Sequence, residues 1–237
     1  MTNSIPRRKC FLALFDILGF KDLVKYCRLE DVYKAYQDIL SGPKQMKDHV
    51  ESLLDRKIVT VRNFSDTFFI YTCDINGQNQ KDIDKTFLAL LAVCGSLFCA
   101  ANEHRLPIRG TITAGELIVS IDIESSIEIG TPIVDAYEKE QAQDWIGCLV
   151  TKDCINLISE EAFNDNIKDN SIVEYEIPFK NGKVDKVYAF NWIKSEPFRS
   201  GDFPLLEKRK WHDWAIERKH RNTWDFIKYI QQRSESK

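Results

Sequence analysis

The sequence predicts an α+β sandwich, a mixed sheet with helices packed against it, and three observations predict it. A nearly unbroken apolar run from Cys10 to Ile17 is short and apolar on both sides, as a buried central strand is. Two further runs, Lys57 to Phe64 and Thr67 to Cys73, flank Ser65-Asp66 in the pattern of a hairpin with an acidic tip. Between residues 83 and 101, Ile83, Phe87, Leu90, Leu91, Cys94, Leu97 and Phe98 form a broad helical stripe suited to packing on a sheet.

In chain order, strand 9–17 leads through Gly19, which allows a tight turn, into a helix over 19–27 with helical spacing in Lys21 to Tyr26. A long helix over 30–54 is expected to break or bend at Gly42-Pro43, where proline removes a backbone donor and clashes with the preceding turn. Strands 57–64 and 67–73 form the hairpin, and helix 80–104 carries the apolar stripe. Strands 107–114 and 116–122, helix 131–144, strand 146–151, helix 152–163 and strands 172–178 and 185–192 follow. A connection from Lys194 to Pro204, containing Pro and Ser, precedes a tail from Glu207 to Ser234 in which Trp211, Trp214, Ile216, Trp224, Phe226, Ile227 and Ile230 lie among Lys and Arg. The division is therefore a body, 1–193, and a helical tail, 194–237. The tail either docks on the body or a second subunit, or offers a basic aromatic surface to nucleic acid or an anionic membrane; docking is preferred.

With 237 residues, 43% of them hydrophobic and 29% charged, the chain can bury one sizeable core. A formal net charge of −3 gives no global attraction to nucleic acid. Seven cysteines, an odd number spread through apolar stretches and without zinc-ligand spacing, read as reduced core residues. The polar start, Met1 to Lys9, is not a secretory leader, and no stretch looks long enough to cross a bilayer, so a cytoplasmic protein is expected.

The chemistry rests on two aspartates in matching settings, Phe15-Asp16-Ile17 and Phe64-Ser65-Asp66. Each ends a short apolar segment, where either alone could be a turn residue or helix cap. Together, carboxylates from adjacent strand ends can share two Mg²⁺ or Mn²⁺ ions, which take oxygen ligands and bind readily beside substrate phosphates. The helix opening at Gly19 and Phe20 presents unpaired N–H groups that can face an anion.

Phe15-Asp16-Ile17-Leu18-Gly19-Phe20 resembles a metal-binding segment of the class III nucleotide cyclases, and Phe64-Ser65-Asp66 resembles their second metal aspartate at a hairpin. Further segments follow in the family's order: Arg109 to Gly115, Gly130 to Glu138, and the lysine-glycine hairpin Phe179 to Lys183. The fuller wording, Asp-Ile-Leu-Gly-Phe, Phe-Ser-Asp-Thr, Pro-Ile-Arg-Gly and Val-Asp-Ala-Tyr-Glu, is similar to the pyrimidine nucleotide cyclases of bacterial Pycsar anti-phage systems. The resemblance spans residues 9–192.

It implies a ferredoxin-like core elaborated by extra strands. It also implies cyclisation of a nucleoside triphosphate by attack of the ribose 3′-oxygen on the α-phosphorus, with two ions bridged by Asp16 and Asp66 and the Ile17 carbonyl as a backbone ligand. Lys180 resembles the phosphate-binding lysine, and Arg62 stands at the base-reading position. Strand alternation puts Arg62 and Asp66 on one face about 13 Å apart, suiting the base and metal ends of one nucleotide. Arginine only donates, which favours uracil O4 over the cytosine amino group and hence UTP, although cytosine O2 and N3 are acceptable partners.

The chain departs from the purine cyclases after Gly130. Their ribose-orienting Asn and transition-state Arg align with Val134 and Glu138 or, shifted by one, with Asp135 and Lys139. Lys139 and Arg109 are the candidates for the missing positive charge; the alternatives are a solvated helix lysine for Lys139 and a structural ion pair for Arg109. The family implies a homodimer with two composite sites, a preference for Mn²⁺ and a separate effector activated by the cyclic nucleotide. Two other functions stand beside cyclisation, a catalytically silent nucleotide sensor and a polymerase-type nucleotidyl transfer.

Overall fold

The computed structural model describes residues 7–121, 126–194, 203–204 and 214–235. Its core begins with β1 (Arg7–Ile17), followed by α1 (Phe20–Tyr26), α2 (Leu29–Leu54), β2 (Val59–Phe64), β3 (Thr67–Thr72), α3 (Gln80–Glu103) and β4 (Ile108–Ile121). These strands lie in the order β2-β3-β1-β4, so that with α2 and α3 they make a ferredoxin-like βαββαβ unit. Then come β5 (Ser126–Ile129), α4 (Thr131–Ala142), β6 (Cys148–Val150), α5 (Lys152–Ile155), α6 (Glu160–Lys168), β7 (Ile172–Pro178), β8 (Val184–Phe190) and α7 (Trp214–Glu235). β6, β8 and β7 extend the sheet beyond β4, and β5 folds back along β4. The β4–β6 pairing is parallel and the others antiparallel.

Side chains alternate across β1, and the two sets are buried on opposite faces. Phe11 and Phe15 meet Phe87 and Phe98 of α3 at centroid distances of 5.0 and 5.7 Å. Cys10, Leu12 and Leu14 pack with Tyr71, Leu117, Val119 and Ala136 of α4. Helices therefore lie on both faces, with α4 opposite α2 and α3. Gly110 of β4 is required beneath Phe15, because a Cβ there would stand 2.1 Å from the Phe15 ring.

Four boundaries differ from the sequence reading, each for a local reason. α2 runs through Pro43 as one helix: Pro43 and Ile39 are buried, and Gly42 lies so close to α3 that a Cβ would meet Ala100 Cβ and the Ser96 carbonyl at 3.3 Å. Packing carries the chain past the missing hydrogen bond. The expected strands 107–114 and 116–122 are one strand up to Ile121, with residue 122 outside the described residues. Gly115 marks no turn but makes room for Pro132, whose ring a Cβ would approach to 3.1 Å. The short β5 was not expected. Helix 152–163 divides into α5 and α6 because Ser159 caps α6 through Ala162 N–H and is itself bonded twice to Asp84, at 2.7 and 2.8 Å.

All seven thiols are free. By length and composition α3 could cross a membrane, contrary to the sequence expectation, but its apolar stripe is buried in this core. Trp211 and most of the 194–204 connection lie outside the described residues. α7 packs through Phe226 against Trp145 and Tyr175, both at 4.9 Å, with Ile227 and Ile230 buried beside it.

Candidate active site

β1 ends in the open, between the β2–β3 hairpin and β4. Asp16 is paired across the ladder with Thr67 on one side and Arg109 on the other. The two aspartate segments are tied by backbone, since Ile17 N–H donates to the Asp66 carbonyl at 3.1 Å, while Leu18 N–H donates to the Pro107 carbonyl just ahead of β4 at 2.8 Å. Ser65 takes a φ of +54°, as the first position of a two-residue hairpin turn does. Tyr36 of α2 holds that tip: its hydroxyl donates to the Ser65 carbonyl and its ring stacks on Phe68 at 5.4 Å.

Asp16 sits in an excess of negative charge. Burial, then the Glu140 and Asp66 carboxylates, push its carboxyl up to about 7, while Arg109 and Lys180 act the other way. No hydrogen bond or ion pair within the described residues engages the carboxylate of Asp16 or Asp66. An oxygen-only donor pair short of positive charge fits Mg²⁺ or Mn²⁺. No group of three or more His, Cys, Asp or Glu side chains converges among the described residues. Asp16 and Asp66 could hold such an ion only as part of a ligand set, with the remaining ligands supplied from elsewhere.

Beside this open end lies a closed one. Arg109 and Glu140 are 2% and 0% exposed, with Arg109 Nε and Nη2 at 2.6 and 2.5 Å from Glu140 Oε1. Arg109 Nη1 donates to the Gln143 carbonyl at 2.8 Å. The Gln143 amide donates in turn to the Gly110 carbonyl, Thr111 Oγ1 and the Lys139 carbonyl, each at 3.0 Å, and its oxygen accepts from Trp145 at 2.7 Å. Arg109 is a fully engaged structural ion pair whose positive field reaches Asp16.

Lys180 stands on the 179–182 turn, where Gly182 has a φ of +78° and Lys180 N–H donates to the Ala142 carbonyl at 2.8 Å. Desolvation, followed by Arg109 and Lys219, lowers its amine pKa. Gly19 opens α1 in the left-handed region at a φ of +78°, and its carbonyl accepts from Asp22 and Leu23, which leaves the Phe20 and Lys21 donors ahead of the first helical bond. Arg62 shares its face with Phe69 and Tyr71, and its Nε lies 3.7 Å from Glu128 of β5. Asp135 and Lys139 are half-buried, one turn apart on the flank of α4, while Val134 and Tyr137 point outward at 56% exposure each.

Solved structures share this arrangement of elements. The guanylyl cyclase Cya2 aligns with a TM-score of 0.51 and 16% identity over 78% of this chain and 91% of that one. A bacterial light-regulated adenylyl cyclase aligns at 0.52 and 10%, over 79% and 92%. The chain has the class III nucleotide cyclase fold. No family model and no curated protein matches the sequence.

Within the cyclase fold, Asp16, Asp66, Arg109 and Lys180 converge, whereas Arg62 lies toward β5 and Asp135 and Lys139 lie on α4. Sequence reading missed Tyr36, Glu128 and Glu140. Glu140 gave a faint signal, because Pro132, Ala136 and Glu140 form an i, i+4, i+8 stripe that places the carboxylate on the buried side of α4.

Proposed function

We propose that this chain cyclises a pyrimidine nucleoside triphosphate, with UTP favoured, to its 3′,5′-cyclic monophosphate. The observation that carries the reading is the under-compensated pair Asp16 and Asp66, tied by backbone at adjacent strand ends of a cyclase fold. The new bond joins O3′ to the α-phosphorus, the bond from that phosphorus to the β-phosphate oxygen breaks, and pyrophosphate leaves. Two bound Mn²⁺ or Mg²⁺ ions supply the acidification of the 3′-hydroxyl and neutralise the leaving group. Asp16, Asp66 and the Ile17 carbonyl hold them, Gly19 and Phe20 open the phosphate side, and Lys180 contacts the phosphates.

Arg62 and Glu128 present a donor beside an acceptor, matching uracil O4 and N3–H. Cytosine N3 and its amino group suit the same pair with the roles exchanged, so a cytidylate cyclase is the alternative. The catalytic unit is residues 1–193, with 194–237 as connection and tail. A homodimer with composite sites is supported by Phe64 at the hairpin tip, 85% exposed, and by outward Ile129, Val134 and Tyr137. Asp135 and Lys139 then orient the ribose and supply positive charge across that interface. In the Pycsar setting the product is a cytoplasmic second messenger that activates a separate effector.

The test is incubation with Mn²⁺ and all four ribonucleoside triphosphates in competition, reading products by mass beside an Asp66→Ala control. Cyclic UMP from the intact protein alone is the expected result, and cyclic CMP selects the alternative. Binding without turnover replaces the cyclase by a sensor, and a linear product replaces it by a nucleotidyl transferase. Mixed Asp66→Ala and Lys139→Ala subunits should regain activity in heterodimers; none regained overturns the composite site.

A further inference from the structure

Lys180 approaches the site from a turn that a short bridge holds at its base. Gln143, just after α4, pairs antiparallel with Phe179. On either side of that pair Lys180 N–H donates to the Ala142 carbonyl at 2.8 Å and Asp144 N–H to the Pro178 carbonyl at 2.9 Å. These are main-chain contacts, which fix where the Lys180 side chain begins and do not engage its ammonium. The ammonium lies within electrostatic reach of the metal end, since with Arg109 it opposes the upward push on the Asp16 carboxyl.

α7 grips both partners of the bridge. Its first half holds the segment after α4: Asn222 donates to the Asp144 carbonyl at 2.6 Å, Thr223 Oγ1 accepts from Ile146 N–H at 2.8 Å, and Arg218 donates to the Asp144 carboxylate. Its second half holds β7: Phe226 and Tyr229 meet the Tyr175 ring at centroid distances of 4.9 and 5.2 Å, and the Tyr229 hydroxyl donates to the Glu174 carbonyl at 2.7 Å. In sequence, residues 142–146 reach β7 only through β6, α5 and α6. A single bridged pair has little cooperative support of its own, so a helix lying across both segments sets their spacing.

We propose that α7 is a positioning element of the substrate site: by holding residues 144–146 and β7 together it fixes the bridge, and through the bridge the point from which Lys180 reaches the phosphates. The proposal rests on the cyclase reading and adds to it that the unit of residues 1–193 needs the tail to set one of its phosphate contacts. Asn222 and Tyr229, one on each side of the bridge, are positioning residues that act through Lys180. Docking of the tail then serves binding as well as stability.

The experiment is a double-mutant cycle on the full chain, read as affinity for 3′-deoxy-UTP, which cannot cyclise, or for 3′-deoxy-CTP if the product is cyclic CMP. Asn222→Ala is expected to weaken binding about fivefold alone and less than about twofold beside Lys180→Ala, because the loss runs through Lys180. Equal losses in the two backgrounds mean a structural role only and overturn the proposal, as does no loss in either. Tyr229→Phe keeps the ring, removes the hydroxyl from the Glu174 carbonyl and should give the same pattern; it takes the place of Asn222→Ala should that variant not fold. Hydrogen exchange reads the bridge without a ligand: the Lys180 amide should exchange about tenfold faster in either variant, and unchanged protection overturns the proposal whatever the affinities. Wild-type protein that neither binds nor cyclises any nucleotide, with a Lys180 amide that still responds, overturns the cyclase reading and the phosphate contact with it, and leaves α7 as the holder of the bridge.

Discussion

The open and closed ends of the site use the same kinds of charged group in opposite ways. Around Asp16 and Asp66 the carboxylates are partly exposed, mutually repelling and unbonded, and Asp16 is pushed up to about 7. Around Arg109 and Glu140 every charge is buried and answered, at distances down to 2.5 Å. Charge that the fold compensates builds the site, and charge that it leaves uncompensated is available to a ligand.

The largest effect expected from breaking this contrast falls on catalysis. Asp66→Ala should lower cyclic nucleotide production about 1000-fold or more, the scale of several kcal/mol supplied at a metal site, while circular dichroism shows the fold intact. At the closed end the same kind of truncation should damage stability. Glu140→Ala leaves Arg109 buried and unpaired and is expected to cost about 3–5 kcal/mol by chemical denaturation. A variant of undiminished stability would mean that Arg109 is not locked.

The third test reverses the sign. The folded, metal-free chain holds a proton on Asp16 up to about pH 7, whereas the ordinary carboxyl value is 3.8. Native stability is therefore lost as pH rises from about 4 through 7, because the unfolded chain releases that proton first. Asp16→Asn should abolish turnover yet stabilise the metal-free protein by about 1–2 kcal/mol at pH 8, a figure reduced for the solvent screening of a partly exposed group. The gain should fade toward pH 4, and a gain independent of pH would assign it to another cause. The smallest effect belongs to Tyr36→Phe, which removes the hydroxyl from the Ser65 carbonyl and should cost about 1 kcal/mol, with a weaker apparent affinity for Mn²⁺.

The open end was legible in the sequence and the closed end was not. Asp16 and Asp66 each interrupt a short apolar run, and a charge at such a point stands out without knowledge of partners. β1, the hairpin and α3 were legible for the same local reason, a period or run held over consecutive residues. The Arg109–Glu140 contact joins residues 31 apart in sequence, and the expectation for Arg109 left open both a catalytic cation and an ion pair. Glu140 itself was marked only by the faint stripe that it shares with Pro132 and Ala136. The misread boundaries share this origin: Gly115 and Gly42 mark close approaches of distant elements, Pro132 and α3, which local rules read as a strand break and a helix break.

The space under Phe15 has a consequence for how such chains diverge. The ring occupies the volume that a side chain at position 110 would need, and both residues adjoin the pair Asp16 and Arg109 on neighbouring strands. Neither position can change freely while the other stays as it is, so lineages should replace the two jointly or keep both. Across descendants of this sequence, positions 15 and 110 should covary even where the surrounding surface has drifted beyond recognition.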